Sequence, residues 1–166
     1  MGKYLWRHNN LINYIVQSVD TTKFTLCRRG TIPADICITP PKPDVVIIDE
    51  KSNSIYISEL TVPIEHNVEV KHQEKSDKYA HFAVDIQNMN TFVIAFEIGS
   101  RGLISTRIQR SLQTLHTFIK PTVKLKKFKQ NLSALSIYSS YHIFNCRKDP
   151  VWTAPRVLLP PFHDES

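Results

Sequence analysis

Two apolar segments separated by a short turn constrain the fold more than any other part of the sequence. The run VVIID at residues 45–49 is rich in β-branched residues and apolar on both faces, which is typical of a central strand. The segment SIYISELTV at 54–62 alternates its side chains and is stopped by Pro63. With EKSN as the turn between them, the two segments predict a hairpin.

Periodic patterns on either side of the hairpin predict the remaining elements. We expect an amphipathic helix at 4–19, a short strand around 24–27, a helix at 67–85, a strand at 91–99, and helices at 103–119 and 131–145. The order of these elements predicts an α/β domain with a mixed sheet flanked by helices. We divide the chain into a core at 1–120 and a basic C-terminal extension at 121–166 that is helical and then proline-rich.

Length, charge and cysteine content narrow the class of protein. The chain has 166 residues, enough for one domain with a real core, and a formal charge of +6. Basic domains often bind nucleic acids, because Lys and Arg release counterions from phosphates; a solvated basic surface is the open alternative. Three scattered cysteines exclude a disulfide framework. Without a secretory signal or a bilayer-length apolar run, we expect an intracellular protein of the nucleus or cytoplasm, with no membrane partner.

Two carboxylates flank the hairpin at positions where a purely structural strand would not need them. Asp44 enters the first strand and Glu59 lies late in the second, so a short turn brings them close together. Neighbouring acids repel each other, and a cation relieves the repulsion. Oxygen ligands suit Mg²⁺ or Mn²⁺, with the carbonyl of Leu60 as a third ligand. The alternative is that Asp44 caps a turn and Glu59 is a surface charge on an edge strand.

The helix predicted at 67–85 carries two lysines that bear on the same site. Lys75 and Lys78 are three residues apart, so they share one helix face beside an apolar ridge. Lysines on a packed face are costly unless an anion receives them, and the carboxylate pair is such an anion. The alternative is that both lysines extend to solvent from a rotated helix.

These residues together resemble the restriction-like endonuclease domains of site-specific non-LTR retrotransposons, a subgroup of the PD-(D/E)xK superfamily. The resemblance covers residues 4 to about 119 and rests on a few short motifs. They are WRHNNLINYI in the first helix, PD before an apolar strand, ELTVPIE at the end of the next strand, EKSDKYAHF in the following helix, and FEIGSRG. The superfamily normally has a lysine two residues after the second acid, where this chain has Thr61. In the subgroup, that lysine has moved onto the next helix.

The resemblance implies a restriction-endonuclease-like fold and a metal-dependent DNA endonuclease that nicks a target strand to prime a reverse transcriptase. It implies that Asp44 and Glu59 bind Mg²⁺ or Mn²⁺ and that Lys75 or Lys78 is the catalytic lysine. It further implies that Arg7 and His8 contact DNA or shape the site, and that Arg101 contacts phosphate. The implied partners are DNA and a reverse transcriptase of the same element.

Several alternatives stay open at this level. The family domain normally follows a polymerase and a zinc knuckle, so we expect a free-standing remnant or a fragment, either active or a catalytically silent nucleic-acid-binding domain. A nuclease resembling Holliday-junction resolvases, acting as a homodimer, is a third hypothesis. The lysine-rich segment KLKKFK contains Lys124, Lys126 and Lys127, which predict either a DNA-binding patch or a solvated helix face.

Overall fold

The computed structural model describes residues 2–28, 42–63, 86, 89–149 and 151–154. The helix predicted at 67–85 lies outside these residues, and so do Lys75 and Lys78. The segment at 29–41 and the proline-rich end at 155–166 also lie outside them.

The described residues form three α-helices, four strands and a short 3-10 helix. In chain order these are α1 (Lys3–Ser18), β1 (Thr25–Arg28), β2 (Val45–Asp49), β3 (Ser54–Thr61), β4 (Asn90–Glu97), α2 (Gln109–His116), α3 (Leu125–Asn145) and the 3-10 helix (Cys146–Lys148). The predicted first helix and the strands predicted around 24–27, at 45–49, at 54–62 and at 91–99 are thereby confirmed. Among the described helices, none has an apolar stretch long enough to cross a bilayer.

The sheet is mixed, as the sequence predicts. Its strand order is β1-β2-β3-β4, with antiparallel pairing of β1 with β2 and of β2 with β3, and parallel pairing of β3 with β4. The hairpin therefore occupies the two central positions. Parallel pairing requires a crossover between β3 and β4, and the chain between them is long enough to make one.

Alternate residues of the central strands enter two separate apolar clusters. Val45 and Ile47 of β2 pack with the three helices in the main core, whereas Val46 and Ile48 pack on the opposite face with Ile86. Burial on both faces explains why β2 is apolar throughout instead of alternating. Glu59 has the same parity along β3 as Ile55 and Ile57, which belong to the second face.

The last long helix differs from the prediction in its start and in its role. α3 begins at Leu125 rather than at 131, so the lysine-rich segment forms its first turns. Phe128, Leu132 and Leu135 are fully buried in the main core, and the Tyr14 ring of α1 stacks on Phe128 at 5.6 Å. Part of the basic C-terminal extension predicted at 121–166 therefore packs into the main core.

The helix predicted at 103–119 is shorter in the structure, where α2 covers only Gln109–His116. Before it, the Gly99 amide N–H donates to the Leu103 carbonyl, which holds the chain in a loop. After it, Ile119 forms a β-bridge with Val19 at the end of α1. Apolar periodicity alone misses both limits because Ile104, Ile108 and Ile119 are packed in the core although they lie outside the helix.

The buried face of α3 makes the helix part of the core. Two phenylalanines of this helix, one buried and one exposed, provide the test. We expect Phe128→Ala to lower the free energy of unfolding by about 3–5 kcal/mol, because the ring is 0% exposed and leaves a cavity. Phe144→Ala, on the same helix but 57% exposed, should change it by less than about 0.5 kcal/mol. Urea unfolding of both variants measures the difference, and equal effects would contradict the packing described.

Candidate metal and nucleic-acid site

Asp44 and Glu59 meet at one end of the sheet, where β2 begins and β3 ends. Val45 pairs with Ser58, so the two acids stand opposite each other one residue beyond the ladder. The Asp44 amide N–H donates to Oε2 of Glu59 at 3.0 Å, and the Leu60 amide N–H donates to Oδ2 of Asp44 at 2.9 Å. Each carboxylate thus accepts a backbone hydrogen bond from the opposite segment, which confirms the predicted proximity.

Burial of Glu59 bears on one of the two interpretations of this acid, the surface charge. Its side chain belongs to an interior strand, and the residue is only 4% exposed. The alternative of a surface charge on an edge strand is therefore wrong for Glu59. The other half of that alternative assigns Asp44 to capping a turn, whereas its carboxylate accepts from the Leu60 amide of the neighbouring strand β3.

His8 of α1 reaches the same end of the sheet. Its Nε2 lies 3.1 Å from Oδ2 of Asp44 and 3.2 Å from the carbonyl oxygen of Leu60. Both partners are acceptors when Asp44 is ionised, so Nε2 carries a proton and donates to both. The imidazole N–H therefore contacts two of the three oxygen groups that the sequence assigns to a cation.

Arg7 precedes His8 on α1 and acts inside the protein. It is buried, and its guanidinium donates to the Val62 carbonyl and to the Ser140 hydroxyl, each at 2.9 Å. These bonds tie the exit of β3 to α3. Of the two roles predicted for Arg7, shaping the site fits this placement, because a buried guanidinium bonded on two sides has little surface to offer to DNA.

The charge on Asp44 sets the electrostatics of His8. Burial disfavours the charged imidazole, but the hydrogen bond and the negative charge of Asp44, together with hydrogen bonds to Asn9 and the Leu60 backbone, outweigh burial, so the pKa of His8 is raised above its usual 6.5. The pair places a positive group against the carboxylate at the same point where a metal would relieve the repulsion between the acids.

A second buried acid lies on the neighbouring strand. Glu97 ends β4, is 2% exposed and pairs in register with Thr61 of β3. Parallel register puts Glu59, Thr61 and Glu97 on one face of the sheet. The Thr61 hydroxyl oxygen is buried, and the structure gives it no hydrogen-bond partner among the described residues.

The oxygen groups present fit a hard divalent cation. Asp44, Glu59 and the Leu60 carbonyl supply carboxylate and carbonyl oxygens, the ligand types that Mg²⁺ and Mn²⁺ prefer, and Mg²⁺ usually keeps several waters as well. Within the part of the chain that the structure describes, no group of three or more His, Cys, Asp or Glu side chains could hold a metal by itself. A cation here would therefore depend on the carbonyl, on water and on a substrate phosphate.

The other predicted DNA contacts lie at different distances from this centre. Arg101 is exposed on the loop after β4, and its neighbour Ser100 donates its amide N–H to the Pro63 carbonyl just beyond β3. Lys124, Lys126 and Lys127 are exposed at the opposite end of α3 from Ser140, about 20 Å away along the helix axis. The structure thus brings Arg101 towards the acids and leaves the lysine cluster apart.

The sequence interpretation missed the part played by α3. Ser140 receives the Arg7 guanidinium, and the Ser133 and Ser136 hydroxyls donate to the Gly102 and Gly99 carbonyls. Charge distribution offers the one signal that could have pointed to this region. Residues 98–148 contain ten Lys and Arg and no Asp or Glu.

No protein-family model matches the sequence, and no curated protein matches it significantly. The resemblance to retrotransposon endonuclease domains therefore stands on the motifs quoted above.

The raised pKa of His8 predicts a pH-dependent contribution to stability. Because the folded-state pKa lies above the unfolded value, the charged pair stabilises the protein fully below pH 6.5 and loses this effect as the pH rises through the folded-state pKa. His8→Ala should therefore lower the free energy of unfolding more in mildly acidic buffer than in alkaline buffer. Urea unfolding in EDTA across pH measures this.

NMR titration of the His8 ring provides the control. Asp44→Asn removes the carboxylate charge that raises the pKa, so the ring should titrate at lower pH in that variant than in the wild type. A wild-type ring that titrates below 6.5, unchanged by the substitution, would contradict the assignment.

Proposed function

We propose that the chain is a metal-dependent endonuclease that hydrolyses phosphodiester bonds in DNA, with a restriction-endonuclease-like fold. One observation carries the proposal: the Glu59 carboxylate accepts a hydrogen bond from the Asp44 amide, and the Asp44 carboxylate accepts one from the Leu60 amide, beside the Leu60 carbonyl. A mixed sheet with two acids at the junction of adjacent strands is the arrangement that the resemblance implies. Mg²⁺ or Mn²⁺ is the cofactor, and DNA is the partner.

The chemistry of the site follows from its own groups. A bound divalent cation polarises a phosphate and lowers the pKa of a coordinated water. Asp44 and Glu59 supply the negative oxygens that attract the cation. The Asp44 amide and the Leu60 amide fix the two carboxylates, so that little reorientation is needed. His8 donates from Nε2 at the same edge and can steady negative charge there.

A lysine completes the proposal. Thr61 stands where the superfamily usually has its lysine, so the chain needs an ammonium group from elsewhere to position the water or stabilise charge. We assign that role to Lys75 or Lys78, which lie outside the described residues. By the resemblance, such a nuclease nicks one DNA strand for a reverse transcriptase of the same element.

Nicking of supercoiled plasmid tests the function. The wild type should nick in Mg²⁺ or Mn²⁺ and stop in EDTA. Asp44→Asn and Glu59→Gln should lower the nicking rate by about 100-fold or more, because each removes a charge from the cation site while keeping an oxygen for the backbone hydrogen bond. Gel quantification of the open-circular product gives the rates.

Asp49→Asn is the matched control for these variants. Asp49 lies at the other end of β2, where its carboxylate accepts bonds from Lys51 and Ser52 in the turn. The control should nick at the wild-type rate. A nicking activity that survives in both site variants would refute the assignment of Asp44 and Glu59.

The two lysines can be compared directly. We expect either Lys75→Ala or Lys78→Ala to abolish nicking, and the other to retain most of it, because one ammonium group serves the reaction. The same plasmid assay measures both, and DNA binding by gel shift in EDTA serves as the control for folding. Wild-type nicking in both variants would remove the relocated-lysine idea.

A nucleic-acid-binding domain without catalysis is the second candidate. The observation that favours it is the His8 N–H, which donates to the Asp44 carboxylate and to the Leu60 carbonyl in place of a cation. A wild-type protein that binds DNA but fails to cut it whichever divalent metal is added would establish this candidate. Preference for four-way junctions over linear duplex in the nicking assay would instead favour the resolvase-like hypothesis.

A further inference from the structure

A groove runs along α3 beside the loop that follows β4. It consists of two adjoining depressions of about 430 and 420 Å³ that share Ile137 as a common wall. We call it the α3 groove and define it by Lys129, Ile137, Tyr141 and Phe144 of α3 and by Arg101 and Gly102 of the loop. From Lys129 to Phe144 the helix axis covers about 22 Å.

The loop wall of the groove is held rigidly. Gly102 has φ of +84°, and a Cβ at this position would meet the Ser133 hydroxyl oxygen at 2.6 Å, so the loop lies directly on the helix. The Ser133 and Ser136 hydroxyls donate to the Gly102 and Gly99 carbonyls at 2.7 and 2.8 Å. Arg101 is therefore presented from a fixed backbone, which lowers the entropy lost when a ligand binds.

The helix wall exposes aromatic rings at helical spacing. Ile137, Tyr141 and Phe144 follow one another at intervals of four and three residues, so they form one stripe. Tyr141 is 64% exposed and Phe144 is 57% exposed. The Arg147 guanidinium lies over the Phe144 ring, 3.8 Å from its centroid. Flat rings with a stacked guanidinium are the surface on which nucleobases stack.

The charge around the groove selects a polyanion. Arg101, Lys129 and Arg147 line or border it, and the whole segment 98–148 carries no acidic residue. A peptide meets cations only where it has an acidic side chain, whereas a nucleic-acid strand brings a phosphate with every nucleotide. A nucleic-acid strand offers both the bases and the phosphates.

The groove is connected to the carboxylate centre. Ser140, which lines it, accepts a hydrogen bond from Arg7, and the same guanidinium donates to the Val62 carbonyl, two residues beyond Leu60. Ser100 at the other wall donates to the Pro63 carbonyl. One end of the groove therefore lies beside the end of β3 that carries the acids.

We propose that the α3 groove binds a single-stranded stretch of nucleic acid, with bases stacked on Tyr141 and Phe144 and phosphates held by Arg101 and Arg147. Exposed ring faces favour an unpaired strand because a duplex keeps its base faces stacked on one another. The inference rests on the proposed function in one respect: it takes the bound strand to be partly unpaired DNA next to the cleavage site. The binding itself requires no catalysis.

Fluorescence anisotropy with a labelled oligothymidine in EDTA tests the groove without cleavage. Tyr141→Ala and Phe144→Ala should each weaken binding by about tenfold, because each removes one stacking ring. Tyr141→Phe should bind like the wild type, since the ring is kept. Arg101→Gln should reduce the slope of log affinity against log salt by about 0.7, the contribution of one phosphate contact.

Tyr138→Ala is the matched control. Tyr138 lies on the same helix, and its exposed fraction of 58% is similar to that of Tyr141, but it does not line the groove. It should bind oligothymidine like the wild type. Equal losses in the Tyr138 and Tyr141 variants, or wild-type binding in both Tyr141→Ala and Phe144→Ala, would overturn the inference. A second result would also overturn it: sedimentation shows that these variants change from dimer to monomer while their oligothymidine binding is unchanged. The groove would then join two copies of the chain.

Failure of this inference can be told apart from failure of the proposed function. Asp44→Asn should lose nicking and keep oligothymidine binding, because the groove does not include the carboxylates. If the wild type never nicks but the groove variants lose binding as expected, the nuclease proposal fails and the groove stands. If the wild type nicks and the groove variants bind oligothymidine normally, the groove fails and the nuclease proposal stands.

Discussion

The pair of hydrogen bonds that crosses from β2 to β3 is the interaction on which the candidate site depends. Asp44 receives the Leu60 amide, and Glu59 receives the Asp44 amide, so each acid is oriented by the backbone beside the other. Buried carboxylates are costly unless such partners are supplied. The same bonds keep two negative groups close together, which is unfavourable without a positive neighbour, and the His8 ring lies against Asp44 at this point.

The helices serve this end of the sheet through their polar side chains. α1 is anchored in the main core by Leu11 and Ile15, and from that position it presents Arg7 and His8 to the exit of β3. α3 is buried along one face and uses its serines to hold Arg7 and the loop after β4. The C-terminal helix therefore contributes both to the core and to the surroundings of the site.

Charge is unevenly distributed over the chain, and a purely cationic segment coincides with α2, α3 and the loop before them. Their segment carries ten cationic and no acidic residues, whereas β3 and β4 each carry a buried acid near the C-terminal end, Glu59 and Glu97. A polyanion attracted to this basic segment would come near the carboxylates, and like charges repel each other. This combination is common to the nuclease and to the binding-only candidates, and the chemistry at Asp44 and Glu59 distinguishes them.

The sequence by itself determined the strands and their pairing in the hairpin, because β-branched runs and a short turn leave few other arrangements. It also determined that Asp44 and Glu59 lie close together, since an antiparallel hairpin fixes the register of its ends. Only the tertiary structure decided the contacts of His8 and Arg7 with the strand exit and the anchoring of the loop by the serines of α3. These contacts join residues far apart in the chain, and their geometry depends on how the helices pack on the sheet, which local periodicity does not encode.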